Sequence, residues 1–128
     1  MLFKGIHHLV IRVNDLDQSI AHWMENFGLA LSRRQSNEDL GVRQAIFDLD
    51  DGGFIELVAP LNSSSALAGI LSRHGEGVHL VSMRVESLTG AVAECAAKSV
   101  TVVGADGGPN FIHPKSASGV MLGLYADE

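Results

Sequence analysis

The stretch GIHHLVIRVNDL, Gly5 to Leu16, returns as GVHLVSMRVESL, Gly77 to Leu88, and the two copies carry the side chains best suited to chemistry. Aligned without a gap, His7 meets His79 and Arg12 meets Arg84, but His8 meets Leu80. Histidine moves protons or binds metals near neutral pH, and a pair of guanidinium groups can grip a carboxylate, a phosphate or a developing enolate oxygen. Glu56 in FIELVAP is a carboxylate flanked by apolar residues. Burying it calls for a partner, so it implies either an ion pair with Arg12 or Arg84 or the raised pKa of a general base. In the turn HPKSASG, Lys115, Ser116 and Ser118 offer a cation and two hydroxyls between Pro114 and Gly119.

The elements that carry these groups read clearly. Residues 5 to 13 alternate like a strand, and NDLDQSIAHWMENFGL opens at a cap, Asn14 or Asp15. It then spaces Leu16, Ile20, Trp23, Met24 and Phe27 as a helix and stops at Gly28. GVRQAIFDLDDGGFIELVAP predicts two strands joined by a turn at Asp50 to Gly53, with a short extra strand near Leu29 to Arg33. NSSSALAGILSRHGEG gives a linker, a short helix and a turn. The order then restarts with a strand over 78–85, a helix over 88–98 and strands over 100–103 and 120–124, the last two separated by the loop GGPNFIHPKSASG. Repeat one therefore covers about 1–62 and repeat two about 75–128, each a βαβββ unit in one α+β domain of 128 residues.

Strand alternation assigns faces. With Leu9, Ile11 and Val13 under the first helix, His8, Val10 and Arg12 share the other side. In the repeat the same side takes Leu80, Ser82 and Arg84, while His7 and His79 fall on the helix side. Only a bulge just after residue 79 would bring His79 round without flipping the rest of its strand. His22 and His74 read as solvent-facing. Cys95, alone of its type, reads as a small buried hydrophobe, and no disulfide within one chain is available.

A net charge of −6, with no basic cluster beyond Arg33-Arg34, argues against nucleic acid or an anionic membrane as partner. No apolar run approaches the length of a membrane span, and no signal peptide is evident, so a soluble cytoplasmic protein is expected. Long sheet edges predict a homodimer.

HHLVIRVNDLDQSIAHW, FIELVAPL, SALAGILSRHGEGVH and FIHPKSASGVMLGL together resemble the vicinal oxygen chelate superfamily of glyoxalases, bleomycin-resistance proteins and extradiol dioxygenases, and within it the methylmalonyl-CoA epimerase branch. The resemblance implies a glyoxalase-like curved mixed sheet around a cup. It also implies four metal ligands: a histidine on the first strand, a Glu or Gln on the strand before a proline, a second histidine on the repeated strand and a C-terminal glutamate. These fall on His8, Glu56, Leu80 and Gly123. Only His8 and Glu56 can donate, so the metal site is expected to be incomplete and a bound divalent metal is not expected; His79 would join only through the bulge. His8 is otherwise a hydrogen-bonded pocket histidine. The resemblance sets Lys115, Ser116 and Ser118 beside a thioester and suggests Glu38 or Asp39 as a second carboxylate for proton abstraction.

The implied function is that of an isomerase or lyase acting on a carboxylated or CoA-linked small molecule. Glu56 or His8 would take a proton, and Arg12 with Arg84 would hold the enolate oxygen; Leu80, Ser82 and Gly123 would line the pocket. The alternative is a non-catalytic binding protein of the antibiotic-resistance type.

Overall fold

The computed structural model describes residues 1–104 and 110–127. In chain order the elements are β1 (Gly5–Arg12), α1 (Leu16–Phe27), β2 (Arg33–Asn37), β3 (Val42–Asp48), β4 (Phe54–Pro60), α2 (Ala66–His74), β5 (Gly77–Arg84), α3 (Leu88–Ala97), β6 (Val102–Gly104), β7 (Asn110–Ile112) and β8 (Leu122–Tyr125). The order βαβββ thus occurs twice with α2 between, an α+β fold. Its sheet is mixed: β5 and β8 run parallel, whereas β2–β3, β3–β4, β6–β7 and β7–β8 are antiparallel. Backbone contacts divide the chain into one unit of Val10–His79 and another of Met1–Leu9 with Leu80–Glu128, so β1 and β5 each give one half to either unit.

In the Val10–His79 unit, the Asp15 side chain caps α1 by accepting the Gln18 N–H at 3.0 Å. Gly28 ends the helix in the left-handed region at φ 69°, a conformation that suits a residue without Cβ. The buried face of α1, Leu16 and Ile20, packs on Ala45, Phe47, Leu57 and Ala59, with Ile55 and Trp23 beside them. Alternation along β4 then puts Glu56 and Val58 on the opposite face. Gly41 closes the turn before β3 at φ +66°, and a Cβ there would meet Ser65 Cβ at 2.9 Å. Gly41→Ala is therefore expected to cost about 1–3 kcal/mol by backbone strain and overpacking, read as a lower urea midpoint.

In the other unit, α3 starts at Ser87, whose hydroxyl accepts the Gly90 N–H at 3.1 Å. Ala91 and Cys95 pack on Val85, Ile112 and Leu124, with Leu122 alongside. Leu122 and Leu124 therefore face α3 and Gly123 between them faces away. Cys95 is buried, as its apolar run predicts, and burial raises its thiol pKa, with the Glu94 charge adding to the effect.

Several boundaries differ from the sequence reading, among them the last strand, expected over 120–124 and formed at Leu122–Tyr125. The strand expected near Leu29 to Arg33 forms instead at Arg33–Asn37, because Leu29 and Leu31 serve the α1 core and pairing with β3 begins only at Arg33↔Ile46. The strand expected over 100–103 is paired over Val102–Gly104. The loop expected before the last strand contains β7, three residues paired to β6 on one side and β8 on the other, too short to show a period. Gly107 to Pro109 of that loop lie outside the described residues. Among the described residues no helix is long and apolar enough to cross a membrane.

Candidate functional site

Glu56 stands on the face of β4 away from α1. The register Ile46↔Glu56 and Gln44↔Val58 brings Gln44 of β3 diagonally across from it, and Gln44 Nε2 donates to Glu56 Oε2 at 3.2 Å. Burial raises the Glu56 pKa, opposed by that hydrogen bond and by the charge of Arg33. Glu56 is thus held by an amide. Arg33 pairs with Asp48 at 3.6 Å. Glu38 and Asp39 lie exposed in the turn after β2.

Arg12 is committed to backbone: its Nε donates to Gly75 O and its Nη1 to Val78 O, both at 2.7 Å. With Glu76 accepting the Asn14 N–H at 2.9 Å, it fastens the α2–β5 turn to the end of β1. His79 is half-buried, and its pKa is lowered by burial and by the Arg12 charge.

In the second unit Arg84 pairs with Asp127. His7 is buried with its ring stacked on Tyr125, centroids 3.7 Å apart. The expectation that a helix covers His7 is therefore corrected: the cover is a residue of β8 next to Leu124, on the strand side away from α3. His7 Nδ1 and His8 Nδ1 are 2.8 Å apart, so one ring donates and the other accepts. Neighbours on an ideal strand point to opposite faces; this contact makes both rings lean toward a shared strand edge. Burial and then the charge on His7 push the His8 pKa down to about 4. Burial also lowers His7, with Arg84 acting the same way and Asp127 the opposite way.

The depressed His8 value has a stability consequence. Its contribution is fully present above the unfolded-state value near 6.5 and is lost as pH falls toward 4. Between pH 7.5 and pH 4.5 the parent should lose about 1–2 kcal/mol more unfolding free energy than His8→Asn, allowing for solvent screening. Urea titrations at the two pH values read this difference.

Leu80, Ser82 and Gly123 do come together. Ser82↔Gly123 is a register pair, and a Cβ built on Gly123 would lie 3.4 Å from Ser82 Oγ and 3.5 Å from Leu80 Cδ1. Lys4 N–H donates to Arg84 O at 2.7 Å. Continued along β1 and β5 as an antiparallel pair without a bulge, that register sets residue 8 opposite residue 80. The turn residues lie elsewhere. Ser116 and Ser118 line an apolar cavity of about 470 Å³ with Phe3, Cys95, Val100 and Leu122, on the α3 side of the sheet. Ser116 Oγ accepts the Thr101 N–H at 3.3 Å, and Lys115 is exposed.

A model of the Glyoxalase/Bleomycin resistance protein/Dioxygenase superfamily matches residues 7–113, most of the chain. The chain belongs to this superfamily. Among superfamily proteins, it is 30% identical over 128 residues to the ethylmalonyl-CoA/methylmalonyl-CoA epimerase of Cereibacter sphaeroides, covering 93% of this chain and 95% of that one. The crystal structure of methylmalonyl-CoA epimerase from Mycobacterium tuberculosis superimposes with a TM-score of 0.86 at 32% identity, covering 99% of this chain and 90% of that one. A variant of the Streptomyces coelicolor methylmalonyl-CoA epimerase, in complex with 2-nitronate-propionyl-CoA, gives 0.83 at 30% identity and 98% coverage of both chains.

The four positions that the resemblance implies, 8, 56, 80 and 123, carry His, Glu, Leu and Gly in this chain. Among the described residues no group of three or more His, Cys, Asp or Glu could hold a metal ion. Transition-metal sites on proteins use three or four such ligands; of the four positions that the resemblance implies, His8 and Glu56 carry residues able to donate.

Gln44, Gln35, Arg33 and Tyr125 were missed by the sequence reading. Gln44 was within reach: the turn at Asp50 to Gly53 sets the β3–β4 register, which puts residue 44 beside residue 56 on one face.

Proposed function

We propose that this protein is a cytoplasmic, homodimeric isomerase of 2-alkylmalonyl-CoA thioesters, residues 1–128 forming one domain. A protein base removes the proton at C2, solvent water protonates the other face, and the base returns its proton to the hydroxide so formed. The observation that carries this reading is the near full-length similarity to an ethylmalonyl-CoA/methylmalonyl-CoA epimerase. C2 of such a substrate lies between a thioester and a carboxylate, so its proton is weakly acidic and a carboxylate base of raised pKa suits its removal.

Glu56 is the proton acceptor in this reading, supported by its burial and its amide partner. His8 is the poorer base, since a ring with a pKa near 4 holds a proton weakly. Arg12 and Arg84, which keep guanidinium N–H groups beyond those already engaged, are assigned to the substrate's carboxylate and enolate oxygen. Leu80, Ser82 and Gly123 are assigned to the pocket wall, and Lys115, Ser116 and Ser118 to a CoA arm that passes round the sheet to the α3 side. In this reading the enolate is stabilised by the protein's own cations and hydrogen-bond donors rather than on a divalent metal.

The test is incubation with a single epimer of methylmalonyl-CoA and chiral analysis of the product. Conversion to the mixture of epimers supports the reading. Tight binding of the thioester without conversion supports the sequestering alternative, which the loss of donors at Leu80 and Gly123 favours. Light scattering that returned a monomer at micromolar concentration would overturn the dimer.

A further inference from the structure

We infer that Gln44 is a positioning residue for Glu56, oriented in turn by Gln35, so that a hydrogen-bonded chain across β2, β3 and β4 presents one carboxylate oxygen to the substrate. The inference rests on the isomerase reading above.

Gln35 Nε2 donates to Gln44 Oε1 at 3.0 Å, and Gln44 Nε2 donates to Glu56 Oε2 at 3.2 Å. The register Gln35↔Gln44 and Ile46↔Glu56 keeps all three on the face of the sheet away from α1. The direction of the chain is forced by chemistry. An ionised carboxylate only accepts, so the amide facing it must show its NH₂ end. Gln44 then turns its carbonyl toward β2, where it needs a donor, and Gln35 supplies one. Were Gln35 absent, the Gln44 carbonyl would turn to water and the amide plane would lose its fixed orientation against the carboxylate. With Oε2 held, the rotation of the Glu56 carboxyl is fixed and Oε1 is the oxygen left to face the substrate. Such fixing acts on the chemical step rather than on substrate affinity, because the amides reach the substrate only through Glu56.

The experiment compares the parent with Gln44→Met and Gln35→Met, substitutions that keep length and remove the donor. Turnover of a single methylmalonyl-CoA epimer should fall about tenfold or more in kcat for Gln44→Met, the scale of a lost hydrogen bond to a charged group, with KM changed by less than about twofold. Gln35→Met should show the same split at roughly threefold in kcat, since its neutral hydrogen bond is weaker and its effect indirect. A second reading uses no substrate: the Gln44 and Gln35 side-chain NH₂ resonances should both shift in Glu56→Leu. An active parent matched in kcat by Gln44→Met, or amide resonances unmoved by Glu56→Leu, overturns the inference alone. An inactive parent overturns the isomerase reading and takes this role for Gln44 with it.

Discussion

Leu80→His combined with Gly123→Glu is expected to raise the affinity of this protein for cobalt or zinc by about 100-fold or more, because it would place donors at two of the four positions that the resemblance implies. Leu80 and position 123 already share one face of β5 and β8, with a Cβ at 123 falling 3.5 Å from the Leu80 side chain. Position 123 has an unstrained φ and only ordinary van der Waals neighbours, so a side chain there needs no backbone movement. Either single change should gain far less, since three donors leave charge and geometry incomplete. Competition with a chromogenic chelator measures the gain. A double variant that folds like the parent and gains no affinity would show that Leu80 and Gly123 do not occupy vacated ligand positions.

Glu56→Gln is expected to reduce C2 proton exchange on methylmalonyl-CoA by about 10²- to 10⁴-fold, the range for removing a general base. Glutamine preserves shape and an oxygen that can still accept from Gln44 Nε2, so binding and fold should persist. The substitution separates two roles. The superfamily pattern tolerates Gln at this position as a metal-donating oxygen, whereas only a carboxylate can accept the C2 proton. A Glu56→Gln variant as active as the parent would mean that Glu56 is not the base, and an isotope-exchange assay with matched thioester affinity reads this directly.

Much of the fold was legible because its signals are local. The Asp15 cap, the Gly28 stop and the spacing of Leu16, Ile20 and Trp23 define α1 within its own residues, and alternation in FIELVAP turned Glu56 away from the helix. The duplicated stretch exposed the repeat and the change from His8 to Leu80. The neighbourhood of each charge was not legible, because partners are chosen across strands and turns. Arg12 reaches Gly75 and Val78, more than sixty residues on, and Arg84 reaches Asp127 beyond the last strand. His7 failed for a related reason: its cover, Tyr125, comes from β8, and its contact with His8 departs from strict alternation. β7 was hidden because three residues carry no period.

If Glu56 takes the C2 proton without help from a divalent metal, deuterium oxide should label C2 of methylmalonyl-CoA in the presence of protein exhaustively dialysed against chelator, assayed with and without added cobalt or manganese. The metal-depleted protein is expected to incorporate deuterium at a rate that added metal leaves unchanged. Incorporation that vanishes on chelation and returns with stoichiometric metal would contradict it.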